Sequence, residues 1–152
     1  RVSPMQEMQM TTVLYPNIHN LAIECTFDDA QSIVKALFND QEFKKKYYLG
    51  SVNSINWSRI LAQIVYYFYA WFQVAKDDSE QVSFVVPTGN FGNVLAGYYA
   101  KRMGLPIDKL VIGTNENDIL HRFFSKGEYH RPELKETYSP SLDIQISSNL
   151  ER

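Results

Sequence analysis

The stretch Val82-Ser83-Phe84-Val85-Val86-Pro87-Thr88-Gly89-Asn90-Phe91-Gly92-Asn93 decides how the rest of the chain is read. Val82 to Val86 is a short run of β-branched and aromatic residues, the composition of a fully buried strand. Pro87 and Gly89 break it. From Asn93 to Met103, Val94, Leu95, Tyr98 and Tyr99 recur at helical spacing. A strand, a glycine turn and a helix start therefore fall within about a dozen residues. The first turn of a helix leaves backbone N–H groups unpaired and carries partial positive charge. Gly89 and Gly92 let the backbone approach a ligand closely and take positive φ. The expected product is an anion cradle, above all for phosphate. The alternative at this point is a tight turn whose glycines serve only the backbone. The loop is neither G-x-G-x-x-G nor G-x-x-x-x-G-K-[ST], so neither a dinucleotide fold nor a nucleotide P-loop is indicated. Gly97, within the helix, would let it pack closely on the sheet.

Beyond that helix, Gly104 stands where a helix-terminating glycine belongs, with Pro106 just after it. Residues 110–113 read as the next strand, and Asn117 or Asp118 as the cap of a helix reaching residue 125. Residues 127–142 look irregular, and 143–146 read as the start of another strand. Upstream, Trp57, Ile60, Leu61, Ile64, Val65, Phe68, Trp71 and Phe72 form the stripe of a long amphipathic helix over residues 56–75. Its aromatics read as core or interface packing. Ser3, Pro4 and Gln6 make a capping-box start for a helix over 4–14. Leu21 to Cys25 reads as a short buried strand. Thr26, with Asp28 and Asp29 behind it, starts a helix to residue 38, and residues 40–47 form another with Lys44, Lys45 and Lys46 on a solvated face. Strands alternating with helices predict an α/β fold, a parallel sheet with helices on both faces, without an internal domain boundary in residues 1–152.

Composition narrows the classes. Of 152 residues, 45% are hydrophobic and 21% charged, and 15 Lys+Arg against 17 Asp+Glu give a net charge of −2. That balance offers no footprint for nucleic acid or an anionic membrane surface. No apolar run reaches the roughly 18 residues of a membrane span. One cysteine, Cys25, excludes an internal disulfide framework and fits a reducing, cytoplasmic compartment. In its apolar run Cys25 reads as packing rather than nucleophile. His19, His121 and His130 show no metal-ligand spacing, so no metal site is expected. Glu116 and Asp118 are acid–base in type, and capping serves equally well for them.

A second anion site is suggested where Ser51-Val52-Asn53-Ser54-Ile55-Asn56-Trp57-Ser58-Arg59 runs into the long helix. Ser54 and Asn56 are good caps. Arg59 in the first turn opposes the dipole. An anion between Ser54, Arg59 and the helix terminus would relieve that conflict, and a capped helix with an exposed Arg59 is the plainer alternative. Two such sites imply either a doubly phosphorylated ligand or a phosphate cofactor beside a phosphate substrate.

The motif PTGNFGN at 87–93 closely resembles the cofactor-phosphate loop of the threonine synthases, pyridoxal-phosphate enzymes of fold type II, the tryptophan-synthase-β-like fold. SPMQEMQMTTVL at 3–14, NSINWSRILAQ at 53–63, TNENDIL at 114–120 and SPSLDIQISSNLER at 139–152 also resemble segments of the longer threonine synthases of fungi and some bacteria, in the same order. The resemblance implies conversion of O-phospho-L-homoserine and water to L-threonine and phosphate. It implies that Gly89, Asn90, Phe91, Gly92 and Asn93 bind the phosphate of pyridoxal 5′-phosphate. Ser54 and Arg59, shaped by Asn53 and Asn56, would clamp the substrate phosphate, and Asn90 would touch both groups.

The family also needs a lysine that forms a Schiff base with the cofactor. The resemblance places it before Arg1, and the nine lysines present read as polar-face or connecting residues. The chain is thus expected to be part of the cofactor-binding half of a longer polypeptide, inactive alone, with the remainder of that polypeptide as its partner. Two alternatives are a related phospho-lyase or phosphatase acting on other phosphorylated hydroxy-substrates, and an inactive binding protein derived from the family.

Overall fold

A computed structural model describes residues 3–53 and 56–152 of the chain. In chain order the elements are α1 (Pro4–Thr11), α2 (Phe27–Asn39), α3 (Gln41–Tyr47), α4 (Trp57–Val74), β1 (Val82–Pro87), α5 (Gly92–Arg102), β2 (Ile107–Gly113) and α6 (Ile119–Lys126), followed by a 3-10 turn at Pro140–Leu142. Among the described residues the sheet has two strands, β1 and β2, paired in parallel with Val86 opposite Ile112. Parallel strands need a crossover, and α5 supplies it.

The cap signals in the sequence are realised as hydrogen bonds. Ser3 Oγ accepts from the Gln6 N–H at 3.3 Å while Gln6 Oε1 accepts from the Ser3 N–H at 3.3 Å. Thr26 and Asp29 form the same reciprocal pair at the start of α2. The Thr26 hydroxyl and N–H hold the Asp29 carboxyl below its usual range, helped by Arg131 nearby. α1 ends at Thr11, short of the expected residue 14.

One face of the sheet carries the core. Val86 is buried beneath Ile60, Ile64 and Tyr67 of α4 and Val94 and Ala96 of α5, with Phe84 packed against them. Strand side chains alternate between faces, so Val85 points the other way and is 73% exposed, with Val111 beside it at 44%. The expectation that residues 82–86 are buried throughout is corrected: the helices α4 and α5 cover one face, and the other is open among the described residues. Ile60, Ile64, Tyr67 and Trp71 form the inner face of α4, whereas Leu61, Val65 and Phe72 of the expected stripe are exposed.

Gly97 fits the contact between helices. A Cβ there would lie 2.6 Å from Tyr67 Cζ and 3.0 Å from Leu110 Cδ2. Close packing of α5 on both α4 and β2 therefore needs a residue without a side chain. Gly104, at φ 105°, ends the crossover helix as the sequence predicts.

Two expected strands do not form. Residues 21–25 are exposed and unpaired, Leu21 at 88%, and Cys25 is exposed rather than packed. Residues 143–146 are buried in part but join no ladder. Asp143 instead accepts hydrogen bonds from Asn115, Asn117 and the Thr137 N–H and hydroxyl. An apolar run becomes a strand only beside a partner strand, and neither run has one among the described residues.

Candidate functional site

The loop after β1 and the start of α4 enclose a cavity of about 280 Å³, lined by Asn53, Arg59, Gln63 and residues 87–93. It lies at the carboxyl end of β1, where open α/β sheets bind ligands. The Thr88 N–H reaches the Gly113 carbonyl at 2.8 Å, and its hydroxyl donates to the Val86 carbonyl at 2.7 Å, so the loop leaves the sheet at a fixed angle. The first bond of α5 is Leu95 N–H to Phe91 C=O, 2.9 Å. The N–H groups of Gly92, Asn93 and Val94 precede it and have no acceptor in the preceding turn of helix.

All five residues expected at the cofactor phosphate, Gly89, Asn90, Phe91, Gly92 and Asn93, line this cavity. The division of labour among them differs from the expectation. The residue with left-handed backbone is Phe91, at φ 62° and ψ 0°, not a glycine. Its ring stacks on Phe124 at 5.9 Å, which fixes it in that conformation. Gly89 is needed for packing: a Cβ there would meet Leu142 Cδ2 at 3.2 Å.

The second group is only partly assembled. Arg59 and Asn53 line the cavity. Arg59 is exposed, and its Nη1 donates to the Val52 carbonyl at 3.0 Å, which folds the loop before α4 back onto the helix. Asn56 does not face the cavity. Its Oδ1 caps the Ser58 N–H at 3.0 Å and its Nδ2 holds the Ser51 carbonyl at 2.8 Å. Ser54 lies outside the described residues.

Gln63 escaped the sequence reading. It stands one turn after Arg59, on the same helix face, and that i, i+4 relation was the available signal. Its Oε1 accepts from Asn93 Nδ2 at 3.5 Å. Asn93 also receives the Tyr67 hydroxyl, 2.7 Å from Oδ1, so α4 and the start of α5 are tied together beside the cavity.

Several other candidates fall away from it. Asp118 begins α6 but makes no side-chain cap, pairing with Arg122 Nε at 3.0 Å. Glu116 pairs with Lys135 at 3.6 Å. His19, His121 and His130 are exposed, and none of the nine lysines lines the cavity.

A parallel α/β layer with a cavity between a strand's carboxyl end and the first turn of the next helix is the place where open α/β sheets bind ligands. No family model matches the chain, whereas individual proteins match it along its full length. It is 59% identical over 154 residues to threonine synthase of Saccharomyces cerevisiae, covering all of this chain and 30% of that protein. It is 56% identical over 164 residues to threonine synthase of Schizosaccharomyces pombe, covering all of this chain and 32% of that protein. The crystal structure of PLP-bound threonine synthase from Brucella melitensis superposes with a TM-score of 0.81 at 56% identity, over 99% of this chain and 32% of that one. Along its whole length the chain is similar to threonine synthases, and it spans about a third of the length of the relatives it matches.

Proposed function

We propose that this chain forms the phosphate-recognition part of a pyridoxal-phosphate-dependent threonine synthase acting on O-phospho-L-homoserine in the cytoplasm. The observation that carries the reading is one cavity faced by both the 87–93 loop and the start of α4, including Arg59. Similarity to threonine synthases along the whole of this chain supports it, as does the PLP bound to the similar Brucella melitensis enzyme.

The residues present fit a phosphate monoester. Unpaired N–H groups open α5, and the dipole of that helix favours an anion there. Gly89, Asn90, Phe91, Gly92 and Asn93 would hold the cofactor's phosphate. Pyridoxal phosphate, when bound, supplies the electron sink for elimination of the substrate phosphate and addition of water. Arg59 offers planar, paired donors to the substrate phosphate. One of its nitrogens is already engaged by the Val52 carbonyl, which aims the guanidinium while leaving further N–H groups for an anion. Asn53 borders the same space and Ser54 follows it in sequence; Asn56 contributes by shaping the loop. Gln63 and Tyr67 hold Asn93 in place between the two anion positions. The Schiff-base lysine comes from a part of the family's longer chain that this segment does not cover.

The test is made on the full-length protein. Arg59→Ala should raise the KM for O-phospho-L-homoserine by about 10–100-fold, the effect of losing a charge-assisted hydrogen bond, with cofactor affinity unchanged. An unaltered KM would return Arg59 to a loop-folding role. Relatives above 50% identity carry the threonine synthase name, so a lyase or phosphatase for other substrates is not favoured.

A further inference from the structure

The 87–93 loop is gripped from behind by the segment that closes the chain. Ser147 and Asn149 are 0% and 2% exposed, yet both are polar. Buried polar groups are kept where hydrogen bonds satisfy them, and here the partners are carbonyls of the loop. Ser147 Oγ donates to the Gly89 carbonyl at 2.8 Å. Asn149 donates twice to the Asn90 carbonyl, from Nδ2 at 2.9 Å and from its backbone N–H at 3.2 Å.

In a trans peptide the C=O and the following N–H point in opposite directions, and the described residues contain no cis bond. A Gly89 carbonyl drawn toward Ser147 therefore turns the Asn90 N–H away from that segment. An Asn90 carbonyl drawn toward Asn149 does the same to the Phe91 N–H. Asn90 and Phe91 both line the cavity. Phe91 holds a left-handed conformation that an aromatic residue adopts only when its surroundings impose it. The doubly bonded carbonyl immediately before it is such a constraint. The clamp is anchored in turn: the Ser147 N–H donates to the Tyr129 hydroxyl at 3.0 Å, and the Gln145 N–H to Asp28 Oδ2 at 3.0 Å.

We infer that Ser147 and Asn149 are positioning residues, which orient the Asn90 and Phe91 N–H groups toward the phosphate of the cofactor without touching it. The inference rests on the phosphate-loop reading proposed above.

It is tested on the full-length protein by measuring affinity for pyridoxal 5′-phosphate and for pyridoxal, which lacks the phosphate. Wild type is compared with Asn149→Leu and Ser147→Ala. Each variant should bind pyridoxal phosphate about 10–100-fold more weakly and pyridoxal within about twofold of wild type, because only oriented donors to a charged group are lost. Equal losses for both ligands would show a merely structural role and overturn the inference, as would no loss for either. Variants too unstable to bind pyridoxal at all would overturn it too. A wild type that fails to prefer pyridoxal phosphate over pyridoxal would remove the phosphate-loop reading itself, and this inference with it.

Discussion

Phe91 and Gly97 show, residue by residue, how a site's precision is set by atoms that a sequence pattern does not weigh. The turn glycines at 89 and 92 were the natural carriers of a positive φ, but the left-handed residue is Phe91, held by stacking on Phe124 and by the pinned carbonyl before it. Gly89 instead leaves room for Leu142. Gly89→Val is accordingly expected to loosen the 139–149 segment as well as the loop, lowering stability together with cofactor affinity. A loss of affinity at unchanged melting temperature would contradict that. Gly97→Ala places a methyl 2.6 Å from the Tyr67 ring. Overpacking of this kind costs about 1–3 kcal/mol. Denaturant unfolding of the full-length protein should show that loss, and unchanged stability would mean that α4 and α5 are not packed as closely as described.

Tyr67 connects single residues to whole elements, because it joins α4 to the first turn of α5. Burial pushes its phenol up to about 12 from the ordinary value of 10.0. A pKa raised in the folded state stabilises the fold fully below the unfolded value, and that contribution is lost as pH rises through the folded one. Between pH 10 and 12 the wild type should therefore lose stability that Tyr67→Phe does not lose. Parallel pH profiles for the two proteins would show that the phenol is not buried as described. At neutral pH the variant should be less stable by about 1 kcal/mol, the worth of one hydrogen bond.

Elements with local signals were legible in the sequence. The capping box of α1, the start of α2 at Thr26, the long helix α4, and the strand–turn–helix from β1 to α5 follow from cap residues and periodicity over a few turns. The strands read at 21–25 and 143–146 do not exist, because an apolar run says nothing about whether a neighbouring strand is there to pair with it. The clamp at 147–149 was illegible for a related reason. Ser147 and Asn149 are small polar residues near the chain's end, and only their burial against a loop about 58 residues earlier in the sequence gives them meaning. Arg59 stood out because a cation in the first turn of a helix is unexpected on electrostatic grounds, whereas Asn53 entered only through the family resemblance.

Across the whole molecule, the open sheet face and the outer side of α4 are the features left over. Val85, Tyr66, Tyr69 and Phe72 are each more than 60% exposed. The chain covers about a third of its relatives' length, and the remaining polypeptide is the proposed cover for these surfaces. The 152-residue chain by itself should then bind a hydrophobic dye strongly, and the full-length protein weakly. Similar dye binding by both would leave these surfaces open in the full protein. No helix among the described residues is long and apolar enough to cross a membrane.

The proposal on which the others depend is that the cavity between the 87–93 loop and Arg59 serves phosphate elimination from O-phospho-L-homoserine. Supplying the full-length protein with that substrate and pyridoxal phosphate, and quantifying both products, tests it without intermediaries. Threonine and inorganic phosphate should appear in equal amounts. Phosphate released without threonine, or no release at all, would contradict the proposal.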